Sequence, residues 1–176
     1  MKTHLSDCVF QWDVTPASRD QQSTADVIIA LAFGYREFDS GLSNRAMARV
    51  VERLFSEHGI PIIAQHEITD VLRHSPLSNV KEHRTKGEYL DTFEVLFQAY
   101  EVCKKHDLGR SIIVAHPHHQ WRAMKTATKL GLNCFAAEVA SVPYDPKSEQ
   151  WWTRNAELFT PYEFLARLTY LRQGKI

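Results

Sequence analysis

The run Val27-Ile28-Ile29-Ala30-Leu31-Ala32-Phe33 constrains the fold more than any other part of the chain. Its residues are all apolar, with no polar alternation, and Gly34 closes it. A strand of this kind buries both faces, as strands do in a parallel sheet covered by helices on either side. Ile60 to Ala64, Ser111 to Ala115 and Asn133 to Val139 repeat the pattern. Pro61 is acceptable at a strand start, where a ladder donor is dispensable.

Segments with helical spacing lie between these runs. Ala46, Met47, Val50, Val51, Leu54 and Phe55 form an apolar stripe that Ser43 is placed to cap and Gly59 to close. Thr85-Lys86-Gly87-Glu88 opens a predicted helix that runs to about Lys105. Another spans Pro117 to Leu130, with Gly131 after its end. Thr160-Pro161-Tyr162-Glu163 offers a cap, a first-turn proline and a third-position glutamate, predicting a last helix to about Arg172. Residues 65–84 carry little periodicity. His66 to Arg73 suits a short helix and Ser75-Pro76 breaks it. Residues 1–25 read as an irregular approach segment, with Phe10 or Trp12 docked on the domain. Strands and helices alternate throughout, so right-handed crossovers predict one α/β domain over residues 1–176. It is a three-layer, Rossmann-like, mainly parallel sheet with helices on both faces. Residues 143–176 form a helical cover.

Composition narrows the function classes. Lys+Arg and Asp+Glu number 21 each over 176 residues, a balance that argues against a general nucleic-acid or anionic-membrane binder. Cys8, Cys103 and Cys134 are an odd, scattered set with no disulfide framework and no Cys-x-x-Cys pair. Cys103 and Cys134 read as small core residues. No apolar run reaches the roughly 20 residues of a membrane helix, and no h-region follows Lys2. A cytoplasmic location is the expectation, and a homo-oligomer is left open.

Ligands of open α/β sheets bind outside the carboxyl ends of the strands. Three places qualify here: the loop after the first run, the long segment after the second and the turn after the third. After the third run, Ala115 leads into His116-Pro117-His118-His119-Gln120-Trp121-Arg122. His119 and Arg122 share one face of the first helical turn, near its free N–H groups. That arrangement suits a phosphate or carboxylate, with Arg122 as a fork donor and His119 binding or transferring a proton. The competing reading pairs Arg122 with a local carboxylate and leaves the histidines in a turn. A metal reading would bring His116, His118 and His66 together, but no His-x-x-x-His pair completes a set and no metal is predicted. After the first run, Gly34 permits close ligand approach, and Ser43, Asn44 and Arg45 open the next helix at a second anion-suited point. A plain loop and N-cap explain them as well. Thr85-x-x-Glu88 is itself a capping box, which favours a structural role on spacing alone. Trp151-Trp152 reads as a lid or as aromatic cover over the core.

The segment from Val114 to Ala123 resembles the signature of the YdcF-like family, which includes SanA and ElyC: a buried strand, Thr-Ser, two variable residues, His, two residues, Arg, Ala. His119, Arg122 and Ala123 fall on its fixed positions. The run ending in Gly34 resembles the family's Val-Leu-Gly-Gly-Gly opening, and Arg45 matches a first-helix arginine. Thr85 and Glu88 resemble its Thr-x-Glu-Asn element with one extra residue. Ala115-His116 replaces Thr-Ser, Ala32-Phe33 replaces two glycines, and Tyr89 stands for the asparagine. The resemblance spans about residues 26–140. It implies a Rossmann-like sheet and a small nucleotide-like ligand at the strand ends, S-adenosylmethionine being the reported ligand of one member. SanA and ElyC carry membrane anchors, and the absence of an anchor-like run here points to the soluble branch. On this reading Gly34 and Ser43 to Arg45 frame the ligand, Arg122 holds an anionic group, His119 serves as acid or base, and Glu88 takes a ribose hydroxyl. His116 and His118 complete the expected ligand set. A hydrolase or phosphoryl-transfer enzyme built on the histidines and Arg122 is the alternative. A non-catalytic interaction protein using Trp12, Trp151, Trp152 and the last helix is the other.

Overall fold

The computed structural model describes residues 5–176, except for the side chains of residues 8 and 9, so the Cys8 thiol lies outside the described residues. The strands are β1 (Val27–Ala30), β2 (Ile62–Gln65), β3 (Ser78–Val80), β4 (Arg110–Val114) and β5 (Asn133–Ala136). The helices are α1 (Leu5–Phe10), α2 (Arg19–Gln22), α3 (Gly41–His58), α4 (His66–Thr69), α5 (Thr92–Lys105), α6 (Pro117–Lys129) and α7 (Ala156–Arg172). A 3₁₀ turn covers Trp151–Thr153. All strand pairs are parallel, in the order β3-β2-β1-β4-β5. This is a three-layer, Rossmann-like α/β fold. The chain winds one way from β1 to β3 and the other way through β4 and β5, so the strand order reverses between β1 and β4.

The unalternating runs do what their pattern requires. Ile28, Ala30, Ile62, Ala64, Ile112 and Val114 pack on one face with Met47, Val51 and Leu54 of α3. Val27, Ile29, Ile63 and Ile113 pack on the other with Val95, Leu96 and Ala99 of α5 and Ala123 and Ala127 of α6. Successive residues of one strand thus enter opposite layers, and each layer needs an apolar side chain at its own parity. Cys103 is buried in the second layer and Cys134 packs partly buried against it, both as free thiols.

Several element boundaries differ from the sequence expectation. The Thr85–Glu88 box does not open a helix: Gly87 adopts φ +86°, which breaks helical continuity, and α5 begins at Thr92 with Asp91 accepting from the Glu94 N–H at 2.8 Å. Thr160-Pro161 does not start α7 either. Asn155 caps it, accepting from the Leu158 N–H at 2.9 Å, and Pro161 lies within the helix. Ser43 is in the first turn of α3, not at its cap, and donates to the Pro143 carbonyl at 2.7 Å. β3 pairs with β2 inside the stretch that carried little periodicity. Residues 5–10 are helical, not irregular. Trp12 docks beneath the Arg167 guanidinium at 4.0 Å, whereas Phe10 is exposed. Among the described residues no helix is long and apolar enough to cross a membrane.

Gly34, just past β1, has φ +82°, and a Cβ there would lie 2.8 Å from Ser148 Oγ and 2.9 Å from Thr153 Oγ1. Those two hydroxyls are buried and bonded to each other at 2.7 Å, so the strap over residues 148–153 lies directly on the glycine. Gly34→Ala is expected to cost about 1–3 kcal/mol in denaturant unfolding and to loosen this strap, seen as faster amide exchange over residues 148–153. Unchanged stability would show that the strap yields freely.

Candidate functional site

A cavity of about 450 Å³ lies at the carboxyl ends of β1 and β2, roofed by α7. Its volume is in the range of small-molecule sites. The turn after β1 (Leu31 to Gly34), Gln65 and Glu67 after β2, the start of α5, His119 and Arg122 of α6, and one face of α7 all line it. Of the expected catalytic and ligand-binding residues, Gly34, His119 and Arg122 meet here. Ser43, Asn44, Arg45, Thr85, Glu88, His116 and His118 do not line this cavity.

Each of those has another place. Asn44 is buried and ties the turn after β1 to α3: its side-chain oxygen accepts from the Phe33 N–H at 2.8 Å and its amide donates to the Ser40 carbonyl at 2.8 Å. Arg45 is exposed and borders a second cleft with Arg36 and Asp39. Thr85 and Glu88 lie in an exposed turn. His118 Nδ1 is paired with the Tyr144 hydroxyl. His116 is only 1% exposed and stacks flat on Phe33, ring centroids 3.8 Å apart, and neither ring nitrogen has a hydrogen-bond partner. Among the described residues no group of three or more His, Cys, Asp or Glu side chains is placed to hold a metal ion.

The chemistry of the cavity floor is set by Glu163, which sequence reading placed only at a helix start. Glu163 is wholly buried. Arg122 donates to it from Nε (3.0 and 3.1 Å) and Nη2 (2.8 Å), and Arg167 Nε donates at 3.0 Å. Arg122 is therefore a fork donor, but to a carboxylate of this chain. Burial pushes the Glu163 carboxyl up, yet Arg122 and His119 outweigh it and hold it at about 2. Burial alone would lower the Arg122 guanidinium, but the Glu163 charge raises it instead. The same burial, helped by the Arg122 charge, lowers His119, which is thus neutral near pH 7. Nη1 of Arg122 donates to Thr92 Oγ1 at 2.9 Å, and His119 Nε2 lies 3.2 Å from that same oxygen. His119 Nδ1 faces Glu163 at 3.6 Å.

Glu163, Thr92 and Glu67 are the site residues that sequence reasoning missed. Two of them left a trace. Phe159, Glu163, Arg167 and Tyr170 are all buried in α7, so an i, i+4 acid–base pair stood within the inward stripe of that helix. Thr-x-Glu occurs without an extra residue at Thr92-Phe93-Glu94, and that copy opens α5 at the cavity. Trp152 stacks on Tyr162 beside the cavity with centroids 5.2 Å apart, while Trp151 is 56% exposed.

Comparison of the chain with protein-family models, with curated proteins and with solved structures finds no match.

Burial, with the neighbouring His118 and His119, depresses His116 from 6.5 to about 3. The unfolded chain therefore binds the extra proton between these two values. The stability linked to neutral His116 is complete above pH about 6.5 and is lost as pH falls toward 3, at up to roughly 1.4 kcal/mol per pH unit. His116→Leu removes two unpartnered ring nitrogens and keeps an apolar neighbour for Phe33. Denaturant unfolding across pH 4–7 is expected to show a shallower acid slope and no loss of stability at pH 7. A variant destabilised at pH 7 with an unchanged slope would contradict this.

Proposed function

We propose that the chain is a divergent YdcF-like protein that binds a small nucleoside-like ligand in this cavity, S-adenosylmethionine being the leading candidate. The observation that carries the reading is the cavity itself, at the carboxyl ends of β1 and β2 beside the point where strand order reverses, with an acidic side chain just beyond β2. In sheets of this order, an acid in that region commonly takes a ribose hydroxyl. Glu67 occupies it here, 13% exposed at its side chain, with one carboxylate oxygen 3.2 Å from His66 Nδ1. It replaces Glu88 in the expected role.

The charge pattern favours an adenosyl sulfonium over a nucleoside phosphate. Arg122 is the one Lys or Arg among the lining residues, and Glu163 already occupies its fork. Tyr89, Trp152, Tyr162 and Tyr170 supply aromatic faces, which attract flat bases and cations. The departures from the family pattern also fit together. Phe33 and His116 stand where the family has glycine and serine, and they stack on each other. One substitution thus fills the space beside the other, which preserves the strand ends while changing what they can bind.

Calorimetric titration with S-adenosylmethionine and with adenosine tests the reading, beside Glu67→Gln and Trp152→Ala. Saturable binding is expected, weakened roughly tenfold by Glu67→Gln, as for loss of one good hydrogen bond. No heat from the folded protein with either ligand, or equal affinity in both variants, would reject it.

A further inference from the structure

We infer that Thr92 is an activated nucleophile, served by His119 and Glu163, and that the cavity hydrolyses small carboxylic esters by acyl transfer through Thr92 Oγ1. The activity is independent of whether the cavity also takes a nucleoside.

The assignment follows from hydrogen-bond direction. A guanidinium only donates, so the Arg122 Nη1 contact at 2.9 Å occupies a lone pair of Thr92 Oγ1. His119 Nε2 lies 3.2 Å from the same oxygen, and this ring is neutral. Its remaining nitrogen, Nδ1, makes no hydrogen bond and faces the ionised Glu163 carboxylate at 3.6 Å. A bare lone pair there would be repelled, so the proton belongs on Nδ1 and Nε2 is the acceptor. The Thr92 hydroxyl then donates to Nε2. Nucleophile, base and orienting carboxylate thus stand in sequence, recognised by geometry and role. The Nδ1–carboxylate distance is within reach of tightening around a docked substrate. Thr92, His119 and Arg122 all line the cavity, whereas Glu163 lies behind them as a positioning residue.

The substrate class follows from the walls. Leu31, Leu90, Phe159 and Leu165 are apolar, and the Arg122 fork is already closed on Glu163 instead of open to a phosphate. A neutral ester with an apolar or aromatic group fits this lining. In the first step Thr92 Oγ1 bonds to the acyl carbon while its proton moves to His119 Nε2. The bond to the leaving oxygen breaks, and that oxygen takes the proton from Nε2. Water then gives a proton to Nε2 and bonds to the acyl carbon. The bond from Thr92 Oγ1 to that carbon breaks, the acid departs, and the hydroxyl recovers its proton.

The test uses the full chain with p-nitrophenyl acetate, butyrate and benzoate, following p-nitrophenolate release and mapping the acyl group by peptide mass spectrometry after an acid quench. Saturable turnover is expected, with the acyl group on Thr92. Thr92→Val and His119→Gln should each lower the rate at least about 100-fold, and Thr92→Ser should keep it within about tenfold. Circular dichroism confirms that each variant is folded, and Thr92→Ser serves as the active control for the position. Turnover equal in wild type and Thr92→Val, acylation elsewhere, or no hydrolysis of any of the three esters by the folded protein would overturn the assignment. Failed S-adenosylmethionine titration with intact ester turnover removes the nucleoside reading alone. The converse result removes the nucleophile alone.

Discussion

Glu163 is a carboxylate with no exposure to water, held by the guanidiniums of Arg122 and Arg167. Taking such charges out of water costs several kcal/mol each, so the arrangement is tolerable only because its hydrogen bonds are short and several. Aromatic rings surround it: Arg122 lies 4.9 Å from the Tyr170 ring centre, and Arg167 lies 4.4 Å from that of Trp121. The cluster binds α7 to α6 through Arg122, and α6 to the start of α5 through Thr92. Gln11 extends the tie to the N-terminal segment, its carbonyl accepting from Arg167 Nη1 and its side chain from the Trp121 indole. The roof of the cavity therefore rests on one buried anion, and that anion also decides what the floor can recognise.

That decision shows in the fate of Arg122. Its position near the start of α6, one turn beyond His119, is what the sequence reading of an anion site requires, but its fork is closed on Glu163. Closing the fork on Glu163 turns the floor from an anion trap into a polar surface whose Arg122 donors are already occupied. His119, lowered by burial and by Arg122, is left neutral beside it. An aromatic cavity with such a floor suits a flat, neutral or cationic group. The place where strand order reverses is filled by Phe33 and His116, with Tyr144 at 4.4 Å from the His116 ring.

The sheet was legible because each central strand announces itself twice. A run such as Val27-Ile28-Ile29-Ala30 is apolar at both parities, and both parities are consumed, one by α3 and the other by α5 and α6. β3 was not legible: it has three residues at a sheet edge and Val80 is the only one buried, so no pattern marks it. Helix starts failed where two local signals competed. Thr85–Glu88 and Thr160–Glu163 both spell a capping box, but a left-handed glycine undoes the first, and Asn155, upstream, captures the start that the second offers. The site divided in the same manner. Gly34, His119 and Arg122 were visible from their places after strands. The partners of Arg122 were not, since Thr92 and Glu163 stand 30 and 41 residues away and only the packing of α5, α6 and α7 joins them.

Denaturant unfolding of Glu163→Gln beside the wild type tests the central role of this carboxylate most directly. The substitution keeps the side chain's shape and leaves Arg122 and Arg167 without their shared anion. A loss of about 3–5 kcal/mol is expected, as for a buried ion pair broken on one side, with amide protection lost first in α7. A variant within about 0.5 kcal/mol of wild type, with α7 equally protected, would show that the roof and floor of the cavity are held by packing alone.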